Sequence, residues 1–263
     1  LESYLDVARQ EGFDCLLTIS NEMATAAGVH PTEVDRRKLR KVDLRHLSWT
    51  QVLSEAMVQK EHRGVSDPEQ AWILGELIRY LEHPQSGALE FSDMGEAWVT
   101  IREAATAGTL RRNDDGIAEV IARWDQLMGF TSLRLGRQLG ADVRPFLSRA
   151  EQADPRARAD NLIQALVTDG RLEGGVRIPD AVGPILLTAD LRQKRIEAAV
   201  DIDAPRTGRA RTRVNWLTRQ LADAPDRLRV DAFTARGRTS LSELLSVVRD
   251  NPDLLCDPDR PDL

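Results

Sequence analysis

Residues 1–21, LESYLDVARQEGFDCLLTISN, decide the fold class. Leu1, Tyr4, Leu5 and Ala8 recur at i, i+3, i+4 and i+7, the spacing of one apolar helical face. Gly12 has no Cβ and suits the left-handed turn that ends such a helix. Cys15, Leu16, Leu17 and Ile19 then form a short apolar run, the pattern of a strand covered on both faces. A helix beside a buried strand belongs to an α/β or α+β core. The chain opens within that helix and has no initiator Met. It therefore reads as the later part of a longer protein whose opening strands lie upstream.

Working outward, Glu22 to Val34 reads as a short helix and loop stopping near Pro31. In DRRKLRKVDLRHLSW, Arg36, Arg37, Lys38, Arg40, Lys41 and Arg45 stand against Asp35 and Asp43. Val42, Leu44 and His46 alternate with charged residues, as in a half-exposed strand. Such an edge either contacts phosphates or carries its charges to discourage unwanted pairing; the second is favoured. Trp49 to His62 reads as a helix with Val52, Leu53, Ala56 and Met57 inward. Asp67 and Pro68 mark the start of the next helix. Its body, AWILGELIRYL, is apolar almost all round and is expected to be central and buried, ending at Pro84. Residues 86–95 read as a loop, and Trp98 to Ala107 as a further helix.

Asp115 opens the clearest helix, with Ile117, Val120, Ile121, Trp124 and Leu127 in helical register. Phe130, Leu133, Leu135 and Leu139 extend the pattern towards Gly140. Another helix carries Ala159, Leu162, Ile163, Leu166 and Val167 and ends at Gly170. The character changes at Gly174. Gly175–Ile178, Pro184–Leu191 and Arg195–Asp203 read as strands, the last with Ile196, Ala198, Val200 and Ile202 alternating. A helix over 208–222, the strand RLRVDAF and a helix over 240–249 complete an α+β layer. The division is then 1–49, a helical region 50–172, a C-terminal domain 173–250 and a loose tail 251–263.

The balance of 41% hydrophobic and 30% charged residues is that of a soluble globular chain. No run approaches a membrane span, there is no signal-like start, and Cys15 and Cys256 make no disulfide framework. The cytoplasm is the expected compartment. The net charge of -6 argues against non-specific coating of nucleic acid while leaving room for a local basic face.

The opening helix–strand pair is similar to the part of the PD-(D/E)XK, or restriction-endonuclease-like, superfamily that follows the catalytic hairpin. That hairpin carries a metal-binding Asp and a Glu-x-Lys. In one branch the next helix carries a Gln and, four residues on, a Tyr; Tyr4 matches the Tyr, and the Gln would fall just before Leu1. HLSWTQVL at 46–53 and SGALEFSDMG at 86–95 also resemble a set of bacterial proteins with this nuclease-like start. The superfamily resemblance covers only the opening helix and strand. No Glu-x-Lys occurs in the 263 residues, a departure at the most diagnostic motif. The resemblance implies a Mg²⁺-dependent DNA or RNA endonuclease whose hairpin acids hold the metal that activates water. Tyr4 would be an accessory at most. With those acids upstream, this chain alone is expected to be inactive and to bind no Mg²⁺.

Within the chain, His30, His46, His62 and His83 match no zinc spacing and are best read as surface or hydrogen-bonded histidines. Ser20 and Ser48 lack the glycines of a nucleophile elbow. Of Trp49, Trp72, Trp98, Trp124 and Trp216, four are expected in the core. The helix over 208–222 is the candidate binding element. Ala210, Val214, Leu217 and Leu221 form its buried stripe. Arg211, Asn215 and Arg219 lie nearly opposite, with Arg209, Arg213 and Trp216 on one flank. Arginine forks pair with phosphate, and an exposed Trp offers a stacking platform. A solvated helix face bridged to Asp201 and Asp203 is the plainer alternative.

The reading as a whole is an α+β protein: the end of a restriction-endonuclease-like α/β core, a helical middle and a small C-terminal α+β domain, associated with DNA or RNA and not with a membrane. The alternative is a non-catalytic protein-interaction or sensor module on a degenerate nuclease-like core. Oligomeric state is open at this level.

Overall fold

The computed structural model describes residues 1–23, 30–32, 34, 39, 42–88, 91–205, 207–233 and 240–256. The chain is a mixed α+β protein with small sheets. It divides into two compact units, Leu1–Asp201 and Ile202–Leu263.

In the first unit, α1 (Glu2–Gln10) buries Leu5 and Ala8, and Gly12 takes the left-handed turn at φ +75°. Tyr4 leaves the apolar face and is exposed. β1 (Cys15–Ser20) pairs in parallel with β2 (Asp43–Ser48), Cys15 opposite Asp43 and Ser20 opposite Ser48. Leu16 and Leu44 pack on Leu5, Ala8 and Val42. The other face is not covered as expected: Cys15, Leu17 and Ile19 are exposed. The apolar run is therefore a one-sided strand. Among the described residues only one helix and one strand lie against it. The basic residues Arg36, Arg37, Lys38, Arg40 and Lys41, and much of the expected 22–34 element, lie outside the described residues.

Ser48 and Gln51 form a reciprocal capping box at the start of α2 (Trp49–Val58). The helix continues as a π-helical turn over Gln59–Arg63. Asp67 caps α3 (Pro68–Glu82), accepting from the Gln70 backbone N–H at 2.9 Å. Only one stripe of α3 is buried: Ile78 and Leu81 meet Leu53 and Ala56 of α2. Trp72, Ile73 and Tyr80 are exposed, so the expectation of a central helix is corrected. An all-round apolar helix needs cover on every side, and the α2 cluster covers one.

The main core lies between α4 (Trp98–Ala107), α5 (Ile117–Leu139), α7 (Pro155–Asp169) and a four-stranded antiparallel sheet. The strands are β3 (Arg144–Pro145), β4 (Arg171–Arg177), β5 (Ile185–Asp190) and β6 (Arg195–Val200), in that spatial order. Leu172 faces Ala189 and Gly174 faces Leu187, and this side of the sheet meets Val120, Trp124, Met128 and Leu166. At Gly174 a Cβ would stand 2.7 Å from Met128 Sδ, so the glycine lets α5 approach the strand. The Trp124 indole N–H donates to the Glu173 carbonyl at 2.9 Å. At the far end of α5, Gly140 has φ +63° and a Cβ there would strike the His62 ring. His62 Nε2 itself donates to the Arg137 carbonyl at 2.7 Å, closing the helix end.

Because β4 and β5 pack on α5 and α7 and β6 pairs with β5, these strands belong to the first unit. The boundary falls after Asp201, later than the 172/173 division suggested by the change of pattern at Gly174. The second unit holds α8 (Ala210–Gln220), β7 (Arg229–Phe233), β8 (Ser240–Leu244) and α9 (Leu245–Asp250). Val214, Val230, Leu245, Val248 and Leu255 form its core. Residues 240–244, expected to open a helix, instead pair antiparallel with β7, Phe233 opposite Ser240. The tail is not loose throughout either. A 3₁₀ turn over Pro252–Leu255 places Leu255 in the core, and residues 257–263 lie outside the described residues.

Candidate functional site

On α8 the apolar stripe stands largely where the spacing puts it. Ala210 and Val214 are buried, and Leu217 and Leu221 are packed against the core. Arg209, Arg211 and Arg219 are exposed, while Arg213, Asn215 and Trp216 are half-buried. The structure thus brings three of the four arginines to the surface and half-buries Trp216, the ring that was to offer a stacking platform. Trp216 is not the exposed tryptophan of the chain; Trp72 is, at 67% exposure.

Arg211 has an acidic neighbour within its own unit. Its Nη1 lies 3.2 Å from Asp253 Oδ2, a pair open to solvent on both sides. Such pairs contribute little to stability, so Arg211 is available to a competing anion. The opposite end of α8 is closed by Arg249, whose Nη2 donates to the carbonyls of Leu221, Ala222 and Ala224 at 2.6, 2.9 and 3.0 Å. Its Nη1 pairs with Asp226. The C-cap carbonyl of Leu221 and two carbonyls of the turn that follows are thereby satisfied. The second unit holds eleven arginines against ten acids within a chain of net charge -6, so basic charge is concentrated there.

A second cluster was not read from the sequence. Thr18 Oγ1 lies 2.9 Å from His30 Nε2 and 2.9 Å from His46 Nδ1. His46 Nε2 donates to the Glu22 carbonyl at 2.8 Å, which leaves Nδ1 to accept from the Thr18 hydroxyl. His30 Nδ1 stands 2.9 Å from the Thr32 backbone nitrogen and 3.1 Å from the Thr32 carbonyl oxygen, while its Nε2 faces the Thr18 hydroxyl. The imidazole rings meet edge to face, centroids 5.1 Å apart. Burial holds His30 below its ordinary pKa, against the Thr32 backbone bond, and His46 adds to the depression. The Thr18 hydroxyl thus stands among His30, His46 and the Arg45 carbonyl, the last at 3.2 Å, and links β1, β2 and residue 30. His62 and His83 are hydrogen-bonded as well. The available signal was the shared parity of Thr18 and His46 in two paired strands, visible only once their parallel register is known.

The remaining expectations resolve less. Arg45, the one described member of the central basic run, is exposed and donates to Asp43 at 2.7 Å. Tyr4 stands exposed on α1. Among the described residues no three His, Cys, Asp or Glu side chains gather to hold a metal ion. No helix among them is long and apolar enough to cross a membrane. No family model, curated protein or solved structure matches the chain.

Proposed function

We propose that the protein associates with nucleic acid through the outward face of α8, and that residues 1–49 belong to a restriction-endonuclease-like core. The observation that carries the first part is the exposure of Arg209, Arg211 and Arg219 on a helix anchored from behind by Val214 and closed by Arg249. Guanidinium groups on a fixed helix contact phosphates and carry no sequence information. The second part is supported by the helix–strand pair and its parallel β2, an arrangement such a core shares with other α/β units. Metal chemistry is not assigned to these residues. A protein-interaction module is the competing reading, and the exposed Trp72 and Tyr80 on α3 favour it.

Fluorescence anisotropy with single- and double-stranded oligonucleotides over a range of salt separates the two. Wild type is expected to bind with weak sequence preference and with affinity falling as salt rises. Arg211→Ala with Arg219→Ala should weaken binding similarly across sequences and flatten the log–log salt slope by up to about 2. Asp253→Asn, which frees Arg211 from its acidic neighbour, should tighten binding. An absence of salt-sensitive binding by the wild-type chain to DNA and RNA at low ionic strength ends the phosphate reading.

A further inference from the structure

The two edges of the four-stranded sheet are finished differently. One is β3, two residues long and containing Pro145; brevity and proline are devices that stop a sheet from growing. The other is β6, six residues without proline, whose outer side pairs with no strand among the described residues. Its residues also break the usual protection. Ile196, Ala198 and Val200 point to the same side as Ala189, Leu187 and Ile185 of β5. Yet Ile196 is 81% exposed and Val200 40% exposed, because the helices that cover β4 and β5 do not extend over β6. A bare edge with exposed β-branched side chains is a template for another strand.

The sequence of that edge says which strand fits. Residues 195–201 read Arg-Ile-Glu-Ala-Ala-Val-Asp. When two copies lie antiparallel about a two-fold axis at Ala198, directly opposed residues lie on one face. Arg195 then meets Asp201 of the other copy, and Ile196 meets Val200. Ala198, a small side chain, meets itself at the axis. Opposite charges and β-branched pairs directly across an antiparallel ladder are the stabilising combinations, and here each occurs twice by symmetry. The Arg195 side chain pairs with Glu197 of its own strand at 3.1 Å, with both side chains close to half exposed. Asp201 is exposed. From the self-complementary edge we infer that the protein dimerises through β6, joining two four-stranded sheets into one of eight strands with a second copy of this chain as the partner.

Sedimentation equilibrium on the full chain, up to about 100 µM because strand-edge contacts are small, tests the pairing and its register together. Wild type is expected to dimerise. Arg195→Asp places two aspartates opposite each other, and Asp201→Arg places two arginines opposite each other. Each variant should raise the dissociation constant by about tenfold or more. An equimolar mixture of the two single variants should recover the dimer, because every opposed pair is again Arg with Asp. Ile196→Lys, at a site too exposed to affect folding, should give monomer. A wild-type chain that sediments as a monomer overturns the inference. So does a dimer undiminished in all three variants, which locates the interface elsewhere, and so does failure of the mixture to associate.

Discussion

Two arginine–aspartate forks of similar geometry stand in the two units of the molecule, and their surroundings make them different objects. In the first unit, Arg158 of α7 donates from Nε to the Asp125 oxygens at 3.0 and 3.2 Å and from Nη2 to Oδ1 at 2.6 Å. Its Nη1 reaches Glu151 at 2.9 Å. The Arg158 and Asp125 side chains are 6% and 9% exposed. In the second unit, Arg229 donates to the two oxygens of Asp231 at 2.8 and 2.9 Å, with exposures of 58% and 26%. The buried fork joins α5 to α7 and also reaches Glu151 at the start of α6 (Arg149–Ala153). The exposed fork joins neighbours on one strand. Contact geometry alone says little about what an ion pair holds together; the water excluded around it decides.

Breaking the buried fork is the harshest test of that contrast. Arg158→Met leaves Asp125 desolvated and without its cation, and a stranded buried charge costs about 3–5 kcal/mol. The loss should show as faster amide exchange across 117–139 and 155–169 and a lower urea midpoint for the first unit. Adding Asp125→Leu should recover a large part of it, since an apolar pair removes the stranded charge. A double variant no better than Arg158→Met alone would show that the fork adds stability beyond avoiding its own desolvation cost.

Arg158 also shows where the sequence stops being informative. Its neighbours Leu162 and Leu166 were legible as a helical face, as were the faces of α2 and α5 and the strands β5 and β6, because periodicity reports which side is buried; β4 starts at Arg171, four residues before the strand read at Gly175. Periodicity does not report what covers that side. It overstated the burial of Leu17, Ile19, Trp72 and Ile196, each apolar and in register yet short of a covering partner. Asp125 sits one position from Trp124 and carries no signal of its own; its partner is 33 residues away. The α8 face was legible for the same reason as the helices, since its arginines fall opposite Val214. The withdrawal of Trp216 was not, because it sits at the border of the stripe, where packing rather than phase sets exposure. The Thr18–His30–His46 cluster needs the β1–β2 register, which nothing in the spacing specifies.

An intermediate case sharpens the scale between the two forks. Arg249 is 27% exposed and bonds three backbone carbonyls at the end of α8 as well as Asp226. Here the guanidinium serves chiefly as a cluster of donors for orphan carbonyls. Arg249→Ala should cost about 1–3 kcal/mol, less than the buried fork because water can reach the released carbonyls. The effect should stay within the second unit, seen as faster exchange over 210–222 with 117–139 unchanged. Arg249→Lys, with one ammonium in place of the fork, should recover only part of it.

The smallest effect belongs to the exposed fork. Asp231→Asn should cost about 0.5 kcal/mol or less, because a solvent-screened pair on one strand contributes little. Its pH dependence is more telling than its size. The bond from Arg229 holds the Asp231 carboxyl below the usual carboxylate range, against the opposing effect of burial, with help from the Ser242 hydroxyl across the hairpin. A depressed acid adds stability that is whole above its unfolded pKa of about 3.9 and fades as pH falls through that value. The gap between wild type and Asp231→Asn should therefore close on acidification. Asp125 is shifted the other way: burial pushes its carboxyl up, and the bonds from Arg158 oppose the shift without cancelling it. Its ionisation is resisted by the fold, so its contribution declines as pH rises through the carboxylate range. Urea unfolding of wild type, Asp231→Asn and Asp125→Asn between about pH 3 and 6, with each unit followed by its own amides, reads both signs. Opposite slopes tie the contrast to solvent; slopes of one sign would show that the two aspartates titrate alike despite their difference in burial.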